Sequence, residues 1–100
     1  QAPLAIGLIG VPSEGWTRRD GKNYTDVDVA IAMDHLILAA TEQGLGTCWI
    51  GAFDLPAARE VLGLPEDAEP IVFTPLGYPA EAPRPKKRRA KEELVKYELL

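Results

Sequence analysis

The side chains of this chain that could do chemistry are few, and they argue against most mechanisms that depend on side chains alone. Cys48 is the only cysteine and His35 the only histidine among 100 residues, so Cys and His ligands cannot build a tetrahedral zinc site. We predict that Cys48 is a buried thiol in an apolar strand and that His35 is a solvated or hydrogen-bonded histidine. The sequence shows no Ser/His/Asp arrangement, no phosphate-binding loop and no specifically placed pair of carboxylates. If the chain belongs to an enzyme, the chemistry therefore calls for a reactive cofactor, with no side chain assigned as catalytic and no metal.

One stretch is suited to contact such a cofactor through its main chain. Residues 44–54 carry three glycines together with Trp49, Ile50 and Phe53. Glycine lets a backbone approach a flat or charged surface closely. A helix end, a strand, a turn and a new helix start are all predicted here, which would expose backbone amides at a corner. A plain corner of the core is the alternative interpretation.

The charges are distributed unevenly along the sequence. Residues 1–83 hold four basic residues against twelve acidic ones. A basic cluster follows, made of Arg84, Lys86, Lys87, Arg88, Arg89 and Lys91. Such a cluster is typical of a solvated tail, but it could also bind a phosphate, a nucleic acid or an acidic partner subunit. The acidic body and the lack of aromatic residues between the charges argue against nucleic acid.

The elements that position these residues can be predicted from the apolar pattern. Residues 4–11 predict a strand buried on both faces, followed by a polar loop that Trp16 anchors on the core. Asp26 is predicted to cap a helix that runs to about Gln43, with Gly44 in the left-handed conformation just after it. This helix is apolar nearly all round, which favours burial in an oligomer that contains more chain than these residues.

The second half of the chain predicts shorter elements. Residues 46–51 are expected to form a strand with Cys48 and Ile50 on one face. Asp54 is expected to cap a helix that has Pro56 in its first turn and ends at Gly63. The packing face of that helix is predicted to consist of Ala57, Ala58, Val61 and Leu62. Residues 71–78 predict a third strand, in which Pro75 favours an edge or a bulge; an extended stretch and a helical turn within residues 90–97 complete the chain.

Composition places the chain in the globular class, as one small domain or a part of a larger one. No run of about 18 apolar residues predicts a membrane span, and we expect a cytoplasmic protein. The start of the sequence resembles the middle of a longer polypeptide rather than a signal peptide.

Five motifs occur in an order that resembles the C-terminal part of the FMN-dependent nitroreductase family. They are Asp-Val-Ala-Ile-Ala (28–32), the long segment from Leu36 to Phe53, Val-Leu-Gly-Leu-Pro (61–65), Pro-Leu-Gly-Tyr-Pro (75–79) and Pro-Lys-Lys-Arg-Arg (85–89). The resemblance covers residues 3–98. It implies an α+β (α/β layered) fold, with a mixed sheet flanked by helices in an intertwined homodimer. Residues 1–100 would be the C-terminal part of a single domain, and residues 79–100 a basic tail that wraps the partner subunit.

The resemblance also implies a function and a set of cofactor-binding residues. The activity would be that of a flavin-dependent oxidoreductase, which passes hydride from NAD(P)H to FMN and on to a nitro- or quinone-type acceptor in a ping-pong cycle. Residues Trp49, Ile50, Gly51 and Ala52 would run along the isoalloxazine, with the N–H of Gly51 or Ala52 near N5. The flavin phosphate would be bound by Lys86 and Arg88.

The family's N-terminal portion, with its Arg/Ser-rich motif for the ribityl phosphate, is missing from these residues. The alternative is therefore a non-catalytic dimerisation or flavin-binding module, or a fragment that lacks activity.

Overall fold

The computed structural model describes residues 2–98, which form an α+β arrangement with its helices packed on a small sheet. The elements in chain order are β1 (Leu4–Gly10), a 3-10 turn (Pro12–Glu14), α1 (Thr25–Glu42), α2 (Leu55–Leu62), β2 (Glu69–Leu76) and α3 (Lys91–Leu94). The predicted fold class is confirmed. Of the expected mixed sheet, the described residues contribute one antiparallel pair, β1 with β2.

The β1–β2 pair holds a regular register interrupted once. Leu4 lies opposite Leu76 and Gly10 opposite Glu69, but the register shifts after Leu8, so that Ile71 is the extra residue of a bulge. Pro75 was predicted to mark an edge or a bulge; it lies opposite Ala5 in the regular part of the ladder, and β2 is an edge strand of the two-stranded sheet, as the first alternative requires. The prediction that β1 is buried on both faces is wrong for the described residues, since only Gly10 of β1 is buried.

The core lies between one side of α1 and the sheet. Met33 and Val72 are fully buried and Val29 is nearly so. Val27, Ile31 and Leu38 of α1 remain exposed within the described chain, whereas Ile37 is half-buried against the core. His35 is exposed as well, because it lies on the side of the helix that turns away from the sheet.

The start of α1 differs from the prediction that Asp26 is its cap. The helix begins at Thr25 with Tyr24 as the capping position, and the Asn23 side chain accepts a hydrogen bond from the Thr25 N–H at 2.9 Å. Asp26 and Asp28 then occupy the first turn, where their charges suit the positive end of the helix dipole. The predicted helix end is confirmed, since Gly44 has a φ of +80°.

Helix α2 follows its predicted caps but not its predicted packing face. Asp54 Oδ1 accepts from the Ala57 N–H at 3.0 Å, and Gly63 adopts the left-handed conformation that ends the helix. Val61 is 84% exposed and Leu62 is also exposed. The apolar spacing therefore identified an apolar face of α2 that is not covered by residues 2–98.

Residues 78–98 are exposed throughout and form a tail that has only the short helix α3 as regular structure. Arg89 lies 3.6 Å from Glu93 in an ion pair within this tail. The tail predicted to wrap the partner subunit also includes Leu99 and Leu100, which lie outside the described residues. Among residues 2–98, no helix combines the length and the apolar character needed to cross a bilayer.

Candidate functional site

The stretch after α1 is attached to the free side of β2 at two points. The N–H of Gly46 donates to the Gly77 carbonyl at 2.6 Å, and Ile50 exchanges two backbone hydrogen bonds with Phe73 at 2.9 and 3.0 Å. These are isolated antiparallel bridges rather than a strand, so the prediction of a strand over residues 46–51 is wrong in form. Its position beside the sheet is nevertheless where a third strand would lie.

A buried threonine explains why the ladder is broken between the two bridges. The N–H of Cys48 donates to Thr74 Oγ1 at 2.9 Å, and this hydroxyl donates to the Pro75 carbonyl at 2.8 Å. Thr74 is fully buried, so its side chain takes the place of a main-chain acceptor. Cys48 itself is exposed, which corrects the prediction of a buried thiol: the residue is fixed by its N–H while its side chain points away from the core.

An aromatic pair packs next to the corner formed by residues 49–52. The rings of Phe53 and Phe73 meet edge to face, with centroids 4.9 Å apart and planes at 89°. Gly7 makes room for Phe73, because a Cβ at position 7 would lie 2.6 Å from the ring. The backbone at Ile50 is therefore held through Phe73 from two directions, by hydrogen bonds and by ring packing.

Residues 49–52 are presented to the outside by this support. Trp49 is 50% exposed and Ile50 39% exposed, and both Gly51 and Ala52 are exposed. A Cβ placed on Gly51 would meet no atom within 4 Å. Within residues 2–98, no backbone carbonyl accepts from the N–H of Gly51 or Ala52. The corner thus combines apolar side chains with open space and two unpaired main-chain donors, which is the set needed to contact a flat heterocycle along its edge.

The structure brings one of the two predicted phosphate ligands to this corner. Lys86 lines a cavity of about 520 Å³ together with Thr47, Cys48 and Trp49. Arg88 lines a separate cavity of about 390 Å³ in the tail, which includes Glu93. Lys86 and Trp49 therefore line one cavity, whereas the cavity lined by Arg88 includes no residue of the 49–52 corner. In the described part of the chain, no group of three or more His, Cys, Asp or Glu side chains is placed to hold a metal ion.

Residues 16–24 form an ordered hairpin that the sequence interpretation missed; we call it the basic hairpin. The N–H of Tyr24 donates to the Trp16 carbonyl, Thr17 and Asn23 form a bridge, and the N–H of Gly21 donates to the Arg18 carbonyl at the turn. Trp16 is 61% exposed and packs edge-on against Tyr24 at 4.9 Å. The prediction that Trp16 anchors the loop on the core is wrong, because the hairpin supplies its own aromatic partner.

Arg18 is fully engaged inside the basic hairpin. Its Nε and Nη2 donate to the two carboxylate oxygens of Asp20 at 2.9 and 2.7 Å, and its Nη1 donates to the Tyr24 hydroxyl at 2.8 Å. The hydrogen bonds from Arg18 hold the pKa of the Asp20 carboxyl below its usual value. The spacing Arg-x-Asp before a glycine is the signal that could have revealed this turn.

Comparison with known proteins assigns the chain to a family. The model of the nitroreductase family matches residues 2–78, so the chain belongs to the nitroreductase family, and the resemblance found in the sequence is confirmed. A putative NADH dehydrogenase/NAD(P)H nitroreductase of Methanothermobacter thermautotrophicus is 40% identical over 60 residues, which cover 56% of this chain and 31% of that protein.

Two solved structures support the fold assignment. A nitroreductase family protein from Clostridium difficile 630 is 40% identical with a TM-score of 0.90, and the match covers all of this chain and 62% of that one. An oxidized iodotyrosine deiodinase bound to FMN and 3-iodo-L-tyrosine is 26% identical with a TM-score of 0.76, covering 99% of this chain and 48% of that one. The chain spans between about a quarter and a third of the length of the curated relatives it matches.

Proposed function

We propose that the complete protein to which this chain belongs is an FMN-dependent oxidoreductase. It takes hydride from NAD(P)H and delivers it to a small nitro- or quinone-type acceptor in a ping-pong cycle. The observation that carries the proposal is the corner at residues 49–52, where apolar side chains, open space and two unpaired N–H groups are held on one rigid support. Membership of the nitroreductase family and the FMN-bound state of one structural relative support it.

The corner residues have distinct roles in this proposal. When bound, FMN supplies the acceptance and release of hydride that no side chain of this chain can provide. Trp49 and Ile50 would form an apolar wall that keeps water from a bound flavin. The N–H of Gly51 or Ala52 would donate a hydrogen bond near N5 of that flavin, where the charge of the ring changes. Because Gly51 has no side chain, the main chain can approach that edge closely.

The flavin phosphate is assigned to Lys86 and Arg88. A phosphate dianion calls for charge-assisted hydrogen bonds, which an ammonium and a guanidinium both provide. Lys86 already shares a cavity wall with Trp49. Arg88 lies further along the exposed tail, so it would reach the phosphate only when the tail takes its place in the assembled protein.

The assembly proposed is a homodimer in which residues 79–100 wrap the partner subunit. Ile31 and Leu38 of α1 and Val61 of α2 are exposed here, and large apolar surfaces of this kind are covered by further chain in a stable protein. The rest of the domain and the second subunit would provide that cover and the remaining half of the flavin site.

The visible absorption spectrum of the purified complete protein tests the proposal. We expect flavin bands that bleach when NADH or NADPH is added under anaerobic conditions and return when a nitro compound or a quinone is added. A colourless protein that takes up no FMN would refute the proposal and leave a non-catalytic dimerisation module as the function.

The phosphate assignment is tested separately by substitution of Arg88. In the complete protein, Arg88→Ala should weaken FMN binding by about 1.5–3 kcal/mol, the usual contribution of a hydrogen bond to a charged group. This corresponds to roughly a 10- to 150-fold higher Kd, measured by fluorescence titration of the apoprotein. Lys87→Ala removes a neighbouring charge of the same tail and serves as the control. Equal FMN affinities for the Arg88 variant, the control and the wild type would show that Arg88 belongs to the solvated tail and does not bind the phosphate.

A further inference from the structure

The basic hairpin stands out electrostatically from the rest of the body. It holds three of the four basic residues of positions 1–83, namely Arg18, Arg19 and Lys22, while that region holds twelve acidic residues. The positive charge of the body is therefore concentrated in nine residues. An acidic body with one small basic site favours a small anionic ligand over a long polyanion, because a polyanion would have to pass the surrounding negative surface.

Arg18 has a structural role in the basic hairpin, whereas the charges of Arg19 and Lys22 are available to a ligand. Arg18 is taken up by Asp20 and Tyr24 through all three of its nitrogens. By contrast, within the described residues no side-chain hydrogen bond or ion pair engages Arg19 or the ammonium of Lys22. Two positive charges are thus free at the rim of a turn that Arg18 keeps in shape.

An aromatic surface lies beside the Lys22 charge, and Arg19 belongs to the same nine-residue hairpin. The Trp16 indole packs its flank on Tyr24 and remains 61% exposed, and the Lys22 Nζ lies 5.9 Å from the centre of the Tyr24 ring. An exposed indole in the same hairpin as two cations is suited to a ligand that carries both an aromatic base and a phosphate, since the base can stack and the phosphate can accept charge-assisted hydrogen bonds.

The topology places the hairpin at the same end of the sheet as the corner at residues 49–52. The hairpin follows the Gly10 end of β1, which is paired with Glu69. Because Ile50 pairs antiparallel with Phe73, the residues after Ile50 run toward that same end of β2. β1 and the bridged segment at residues 46–50 lie on opposite sides of β2, so these two segments are two strand spacings, or roughly 10 Å, apart. The strand that leads into the hairpin and the segment that leads into the corner therefore end on the same side of the sheet.

We propose that the basic hairpin binds the phosphate-bearing adenosine end of a nicotinamide dinucleotide, with Trp16 stacked on the adenine and Arg19 and Lys22 on the 2′-phosphate. This assignment rests on the proposed function, since it gives the electron donor a second point of attachment away from the hydride-transfer site. It makes the 2′-phosphorylated donor, NADPH, the preferred one.

The test uses the complete holoprotein and adenosine 2′,5′-bisphosphate as the probe, with 5′-AMP for comparison, in calorimetric titrations. The bisphosphate should bind more tightly than 5′-AMP. In the double variant Arg19→Gln/Lys22→Gln its affinity should fall about tenfold or more, the loss expected for a charge-assisted contact. The same variant should raise KM for NADPH by a similar factor, while KM for NADH and kcat stay close to wild type. Arg59→Gln removes the remaining basic residue of the body and should leave the titrations unchanged.

Trp16 is tested independently of the charges. Trp16→Ala should weaken the binding of both nucleotides, and Trp16→Phe should restore part of the affinity, because phenylalanine keeps a face for stacking. Wild-type affinity in the alanine variant would overturn the stacking role.

The outcomes separate this inference from the proposed function. If NADPH bleaches the flavin but the bisphosphate binds no better than 5′-AMP, the hairpin assignment is wrong while the oxidoreductase proposal stands. If the bisphosphate binds through Arg19 and Lys22 but no flavin is reduced, the hairpin is a nucleotide site and the oxidoreductase proposal is wrong. A short RNA that binds through the hairpin more tightly than the bisphosphate would overturn the choice of ligand.

Discussion

Thr74 couples the backbone of the candidate site to the core, and its hydroxyl can be removed with little change of shape. Its Oγ1 accepts from the Cys48 N–H at 2.9 Å and donates to the Pro75 carbonyl at 2.8 Å, in a fully buried position. Thr74→Val replaces the hydroxyl by a methyl group. The Cys48 N–H then loses its only acceptor within the described chain, and the Pro75 carbonyl loses a donor.

The expected cost follows from the geometry. Two lost hydrogen bonds contribute roughly 0.5–1.5 kcal/mol each. Cys48 lies at the surface, where water can partly replace the lost acceptor, so we expect a total of about 1–2 kcal/mol. This energy holds residues 46–50 against β2. A change of that size alters an opening equilibrium by a factor of about 5–30.

Amide hydrogen exchange of the complete protein measures this opening directly. The Cys48 amide should exchange about 5–30 times faster in Thr74→Val than in the wild type, and FMN binding should weaken in parallel because the corner is less well held. Thr74→Ser is the matched control, since it keeps the hydroxyl and loses one buried methyl group. A Cys48 amide in Thr74→Val that is as protected as in the wild type would refute the role given to the hydroxyl.

Three further predictions concern the surroundings of the site. Gly7→Ala would place a Cβ 2.6 Å from the Phe73 ring; we expect a loss of about 1–3 kcal/mol in the free energy of unfolding, measured by urea denaturation, as for other overpacked positions. Asp54→Ala removes the cap of α2 and should cost about 1 kcal/mol in the same assay, whereas Asp54→Asn, which also caps well, should cost much less. Because its pairing with Arg18 lowers the pKa of Asp20, the contribution of this ion pair to the ordering of the basic hairpin should be complete above about pH 4 and lost as the pH falls through that lowered pKa. Tryptophan fluorescence against pH should show this transition in the wild type and not in Asp20→Asn.

The parts of the fold that sequence could predict are those that depend on local chemistry. Asp54 and Gly63 were recognised as the two ends of α2 because a cap needs only a side-chain acceptor at one end and a left-handed residue at the other. Gly44 was recognised for the same reason. The start of α1 was misplaced because Asn23, which lies outside the helix, satisfies the first N–H in place of Asp26.

The parts that could not be predicted depend on residues distant in sequence. A strand was expected over residues 46–51, but Thr74 intercepts the Cys48 N–H and leaves only two bridges. No property of the segment itself reveals that its partner carries a hydroxyl at that register.

The cofactor-binding roles given to residues 49–52 and to Lys86 and Arg88 remain predictions. The corner at residues 49–52 could be found because its glycines and aromatic residues are adjacent in sequence, and its exposed backbone agrees with that interpretation. The joint role of Lys86 and Arg88 at one phosphate remains a prediction, because the two side chains line different cavities. Their relation depends on the path of the tail rather than on their spacing.

The closure of the basic hairpin has a consequence for protein engineering. The Asn23 Nδ2 donates to both the Pro12 carbonyl and Thr17 Oγ1, so the two stems of the loop are fastened together before the chain enters α1. A loop closed at its own base can be exchanged as a cassette without altering the register of the sheet. Libraries that keep Pro12 and Asn23 and vary only the tip would therefore retune ligand preference on an unchanged scaffold.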